Sequence, residues 1–407
     1  DTIFLNLKEL IDEGIDLKDK CPGVTRIPAP KTLHDLGKLL PMIFNLLSKE
    51  SSQEIVIDDL AAVVGKFSKI HSDIEKTLVD VFTMSSTSTS LDKSPTILSF
   101  RVPLSGDKKL INTIFSAYNT FVKATPAPKI GLVVDYEKGK VSDHSDILAQ
   151  IVSHGGNVTF SKGMSSTNAI RHSSKTSEPS IKLGSLSINL PRLALESSKD
   201  ETYFRARLVL LMKPAIAAMV TRNKDVSDLI RRGVNPILAE KTQFMQKNNS
   251  SLILNLVGLK EAVYKILGHK DDKAGKEILN KVLETAVDIA HKKGQEMGID
   301  VSIAMVDSDE LTRFVILDSE KYGKNSIMDV LDGDLYSQGL ELNYVELGKL
   351  TAKSDIISEY NKISKILDGG LLVKLPFDPK AKEDDIKKAI EKASSLISSF
   401  KPIKHTK

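Results

Sequence analysis

Few residues in this chain are typed and spaced for chemistry. There is one cysteine, Cys21, so no internal disulfide and no zinc site built on two or more thiolates can form. His154, His172 and His291 lie far apart and show no metal-type spacing, which makes each a solvent or structural histidine. Ser165 and Ser166 precede His172 by six or seven residues, the residue types of a hydrolase nucleophile and base. No acidic orienter or oxyanion motif accompanies them, so hydrolysis is the weakest of the active readings. The sequence contains no G-x-x-x-x-G-K-[ST] phosphate loop, no strand-borne G-x-G-x-x-G, no H-E-x-x-H, no G-x-S-x-G and no C-x-x-C. Residue chemistry alone implies no cofactor and no metal.

The elements that would position these residues alternate between helices and short strands. Apolar spacing at Leu33, Leu36, Leu39, Leu40, Ile43, Leu46 and Leu47 predicts a helix over 32–48. Residues 58–82 read as two helical stretches, and the Ser/Thr-rich run 85–94 as a loop. Strands are expected at 96–102, 130–136, 185–190, 252–257 and 301–306. Further helices are expected at 193–219 (broken near Pro214), 259–267, 276–297 and 378–400, the last with Asp378 as cap and Pro379 in the first turn. Residues 161–184, dense in Ser, Thr, Lys and Gly, read as a long irregular loop of the kind that often carries function. The alternation predicts an α/β protein, and no internal repeat or linker divides residues 1–407.

With 41% hydrophobic and 27% charged residues, 5% aromatics and no Trp, the chain can bury a large aliphatic core. No apolar run approaches a membrane span, and the first ten residues lack the blocks of a signal peptide, so a cytosolic location and no membrane partner are expected. The net charge of +4 sits wholly in residues 374–407, where nine lysines face five acidic residues. That basic tail, with Lys401, Lys404 and Lys407, could meet an anionic partner or could simply be a solvated surface. The loop adds Lys162, Arg171, His172, Lys175 and Lys182 to the same candidate set.

A resemblance covers nearly the whole chain. Leu186-Ser187-Ile188-Asn189-Leu190-Pro191-Arg192-Leu193-Ala194 resembles the "V-T-I-N-L-P-R-I-A" strand and turn of class III (anaerobic) ribonucleotide reductases. In the same order follow a Gly233, Asn235, Pro236 turn, Leu256-Val257-Gly258-Leu259-Lys260-Glu261-Ala262, Leu317-Asp318, Leu335-Tyr336-Ser337 and Asp368-Gly369-Gly370, each similar to a motif of that family. Pro28 to Asp35 and Ser94-Pro95-Thr96 are similar to motifs upstream.

The resemblance implies a ten-stranded α/β barrel of the glycyl radical enzyme type, threaded by a finger loop at about 161–184. It also implies a thiol at the finger tip, where this chain has Met164-Ser165-Ser166, and a second thiol on the first strand, where it has Phe4. The family's zinc site and radical glycine would fall beyond Lys407, and its ATP-binding cone ahead of Asp1. A cysteine S–H is weak enough to yield its hydrogen to a glycyl radical, whereas a serine O–H is far stronger, and sulfur supplies a redox ladder that oxygen lacks. The expectation is therefore a pseudoenzyme that works by binding. Its candidate partners are an RNA–protein assembly such as the ribosome, an active reductase subunit, a nucleoside triphosphate held near Asn189 and Arg192, or a second copy in a homodimer. An enzyme of altered chemistry is the remaining alternative.

Overall fold

In a computed structural model, the structure describes residues 2–5, 11–12, 14–16, 26–49, 51, 53–67, 70–91, 96–125, 129–172, 180–232, 234, 250–268, 272–308, 310–329, 331 and 334–404. Cys21, Lys175, Lys407 and the turn at 235–236 lie outside them.

Twelve strands form one ladder: β1 (Thr2–Leu5), β4 (Glu54–Ile57), β5 (Ile97–Pro103), β6 (Ile130–Asp135), β7 (Asn157–Ser161), β8 (Ser180–Asn189), β9 (Ser250–Val257), β10 (Asp300–Met305), β11 (Leu340–Glu341), β12 (Gly370–Leu371), β13 (Val373–Phe377) and β14 (Ser399–Lys404). A separate hairpin pairs β2 (Ile15–Asp16) with β3 (Arg26–Ile27). Within the ladder all pairings are parallel except β1–β8 and β7–β14, so it consists of three parallel blocks joined antiparallel: β11, β13 and β14; β7, β6, β5, β4 and β1; and β8, β9, β10 and β12. Parallel strands need crossovers, and helices supply them on the outer face.

The expected closed ten-stranded barrel is corrected here to an open twelve-stranded ladder. Its order starts at β11 and ends at β12. The reason is local: β12 and β13 are successive parts of one extended segment, of which Gly370–Leu371 pairs with β10 and Val373–Phe377 pairs with β14. At the changeover Leu372 donates its N–H to the Met305 carbonyl. No stretch of this segment pairs on both sides with β10 and β14 at once.

Side chains alternate across the strands. On β1, Ile3 and Leu5 join the large aliphatic core under the helices, while Phe4 joins a separate inner cluster with Val56, Ile170, Ile253, Ala304 and Val306. The helix predicted at 32–48 is α1 (Leu33–Ser48), started by a capping box between Thr32 and Asp35.

Three local expectations are corrected. Residues 85–91 continue α3 (His71–Leu91), which follows the short α2 (Leu60–Gly65). Hydroxyls there fold back on the helix, as when Thr83 and Thr87 donate to the carbonyls four residues earlier. Pro214 does not break α7 (Glu201–Arg231), which follows α4 (Lys108–Ala124), α5 (Ser145–Ser153) and α6 (Leu190–Glu196). The proline is exposed, so water can take the carbonyl it leaves unpaired. The last helix spans only Glu383–Leu396, and Lys401 and Lys404 of the basic tail lie in strand β14. Phe400 draws that segment into the ladder by stacking on Phe160 at 4.7 Å.

Glu196, at the end of α6, ties three elements together. Its carboxylate accepts from Lys321, Arg207 and Tyr322 at 2.9–3.0 Å. The Lys321 hydrogen bond, with those of Arg207 and Tyr322, depresses its pKa from 4.5 to about 2. A depressed carboxylate stabilises the fold above its unfolded pKa and loses that contribution as pH falls through the folded value. Glu196→Gln is therefore expected to lower stability at neutral pH by about 1 kcal/mol, a partly exposed network being worth no more. Paired urea titrations should show that gap shrinking between pH 4.5 and 2.

Candidate functional site in the inner face of the ladder

The finger runs from Lys162 to His172 across the inner face, while 180–184, expected as loop, is already strand β8. Residues 173–179 lie outside the described residues. At its base the Gly163 N–H donates to Asp135, which also holds the Arg101 guanidinium; Asp58 binds the same arginine. Burial opposes charge on Arg101, but the two carboxylates overcome it and raise its pKa. The finger itself is a narrow hairpin: Ser165 bridges Arg171, and the His172 N–H donates to the Met164 carbonyl.

At the tip, Ser166 Oγ accepts from the N–H groups of Asn168 and Ile170, both at 3.2 Å. Ser165 and Ser166 are 1% and 0% exposed, and Ser165 Oγ has no partner among the described residues. Glu54, itself 1% exposed, accepts from the Thr167 N–H at 2.7 Å, the Thr167 hydroxyl at 2.9 Å and the Ser99 hydroxyl. The apolar side of the finger rests on Phe4, with Ile170 and Met164 in its cluster and the His172 ring edge-on at 5.2 Å.

The Asp368-Gly369-Gly370 turn lets the finger approach this closely. Arg171 donates its N–H to the Gly369 carbonyl, and its guanidinium donates to the Ser364 and Leu367 carbonyls. A Cβ on Gly370, whose φ is +128°, would overlap the Ala169 carbonyl oxygen. Gly370→Ala is accordingly expected to cost about 2–3 kcal/mol, from backbone strain plus the clash. A lowered urea midpoint together with new protease cleavage inside 162–172 would register it.

Asn189 and Arg192 meet at Asp318, which is 0% exposed. Asn189 Nδ2 donates to it at 2.8 Å, Arg192 Nε at 2.5 Å and the Tyr336 hydroxyl at 2.9 Å. Asn189 also caps α6 by accepting the Arg192 N–H. Burial and the Asp318 charge raise the Tyr336 pKa. Gly258 has φ +70°, and a Cβ there would strike the Pro191 ring. Alongside, Glu261 receives the N–H and hydroxyl of Ser337, and burial raises its pKa.

The basic candidates are dispersed. Lys162 is exposed and sits 5.6 Å over the Tyr136 ring. Lys182 is 3% exposed, its pKa lowered by burial against the pull of Asp300 and Asp368. Lys401 pairs in register with Lys374, and burial lowers its pKa too. Lys404 donates to the Ala381 carbonyl and Ser153. His291 pairs with Asp368, and His154 with Asn119.

Beside the finger lies a cavity of about 440 Å³, large enough for a small molecule. Asn168 and Ile170 of the finger, Asn255, Asp307, Glu310 and Lys374 are in its wall. Its residues come from separated parts of the chain, and Glu54, Asp307 and Glu310 carried no motif to mark them. Asp318, Tyr336 and Glu261 did lie inside the quoted motifs. Among the described residues no cluster of three metal-ligating side chains occurs, and no helix is long and apolar enough to cross a membrane.

A family model described as anaerobic ribonucleoside-triphosphate reductase matches residues 126–399. No curated protein matches the chain in sequence. The anaerobic ribonucleotide reductase from Thermotoga maritima with dATP bound in the specificity site is similar in structure, with TM-score 0.71 and 16% identity over 98% of this chain and 74% of that one. The B12-independent glycerol dehydratase from Clostridium butyricum, in its glycerol-bound form, is similar with TM-score 0.62 and 11% identity over 93% of this chain and 62% of that one. At these identities the structural likeness establishes the fold.

Proposed function

The chain belongs to the anaerobic ribonucleoside-triphosphate reductase family, and from that premise we propose that it is a non-catalytic member that acts by binding, as a regulatory protein rather than a reductase. One observation carries the reading: where the family resemblance implies a thiol on the first strand, Phe4 stands fully buried and packed against the finger. The tip opposite offers Ser165 and Ser166, whose O–H bonds cannot relay a radical hydrogen as a thiol does. The fold positions such chemistry but does not supply it.

The same geometry weighs the partners. An RNA–protein assembly such as the ribosome would need exposed cations, yet Lys182 is buried, Lys401 is half-buried and the Arg171 guanidinium is committed to backbone. A nucleoside triphosphate at Asn189 and Arg192 would have to compete with Asp318. These placements favour a ligand held inside the fold, or an active reductase subunit as partner, over an anionic polymer.

The test is Cys21→Ser, which removes the one thiol in the sequence. Expressed in cells lacking the gene, the variant is expected to restore the wild-type phenotype as fully as the unsubstituted protein does. A soluble, folded Cys21→Ser protein that fails to do so would contradict the reading.

A further inference from the structure

The cavity beside the finger has a charge pattern unsuited to a polyphosphate. Two carboxylates, Asp307 and Glu310, and one ammonium, Lys374, are in its wall. Lys374 Nζ is 2.5 Å from Asp307 Oδ1 and 3.4 Å from Gln338 Oε1, so its charge is already matched. Glu310 is exposed at the rim, and among the described residues its carboxylate accepts from the hydroxyls of Ser187 and Ser308. Two negative charges against one positive leave the wall at −1. Behind the wall Lys401 feels the charge of Asp307 first and that of Glu54 second, and the two further groups, one cation and one carboxylate, leave that balance unchanged. The rest of the polar wall is hydroxyl and amide, including Ser185, Ser187, Gln53, Asn168 and Gln338. Such a wall repels phosphates, attracts a cation and can hydrogen-bond alcohols.

We propose that this cavity binds a small hydroxyl-bearing amine, of the amino-sugar or amino-alcohol class, with its ammonium at Glu310 and its hydroxyls on the serine and amide side chains. The assignment rests on the wall and not on the absence of thiol chemistry, so it can fail while the non-catalytic reading stands, and the reverse.

Three sugars of one size separate the charge from the shape: glucosamine, glucose and glucuronate. Calorimetric titration of the full chain, at a pH that keeps the amine protonated and at low salt, is expected to rank them in that order. Glucosamine should bind about tenfold more tightly than glucose, as a charge-assisted hydrogen bond is worth. Glu310→Gln, at an exposed position that leaves the fold intact, should bring the two to within about threefold, and added salt should do likewise. Tightest binding of glucuronate or of CTP would overturn the assignment. So would the absence of binding by all three sugars, or a glucosamine preference that survives Glu310→Gln.

Discussion

Asp318→Ala is expected to destabilise the protein by about 3–4 kcal/mol, among the largest effects available from one side chain. Asp318 is 0% exposed and takes charge or hydrogen bonds from Arg192, Asn189 and Tyr336. Removing it leaves a buried tyrosine hydroxyl and an amide without their acceptor, besides an arginine without its counter-ion. Arg192 is one-third exposed on its side chain, so Arg192→Ala should cost much less, about 1–2 kcal/mol, because water can take part of the load. A double-mutant cycle in urea would show coupling between the two positions. Additive losses would mean that Asp318 is held by Asn189 and Tyr336 alone. If Arg192 serves only this ion pair, Arg192→Ala should also leave any stabilisation by nucleoside triphosphates unchanged.

Phe4→Ala is expected to cost about 3–5 kcal/mol, the range for emptying a fully buried aromatic site. Phe4 is 0% exposed and touches both β4 and the finger through Val56 and Ile170. The cluster draws on β1, β4, β9 and the end of β10, rigid strands that cannot collapse into the space. A second readout separates the site from the fold. Hydrogen exchange in 162–172 should rise more than exchange in β5 or β6, because the finger loses its floor while the outer core is untouched. Uniform loosening would show that Phe4 supports the ladder generally and has no special relation to the finger.

How far these features could be read from sequence depends on their physical origin. Helix α1 was legible because its stripe and its Thr32–Asp35 cap are local. The Asp318 cluster was half legible: Asn189, Arg192, Glu261, Asp318 and Tyr336 all sit in motifs that the family resemblance picks out, but only the fold brings them together. Strand β14 was hidden because Lys401 and Lys404 read as a solvated tail, whereas Phe400 on Phe160 and pairing with β13 pull the segment inward. The Ser/Thr run ending α3 has the polarity of an exposed loop, yet Ser85 and Ser86 are buried. Open versus closed ladder depends on where the segment 370–377 changes partners, and no spacing rule encodes that. The cavity's charge was invisible for the same reason: Asp307, Glu310 and Lys374 are ordinary surface residue types until the ladder curves them around one space.

On the proposed reading the finger performs no radical chemistry. The most direct test is anaerobic turnover by the native, full-length protein, supplied with ribonucleoside triphosphates, a dithiol or formate reductant and the radical-generating partner of an active family member. Deoxyribonucleotide formation should not exceed that of a reaction lacking the protein, with or without Cys21→Ser. Catalytic production of deoxyribonucleotide, abolished by Cys21→Ser, would contradict the account and identify the missing thiol.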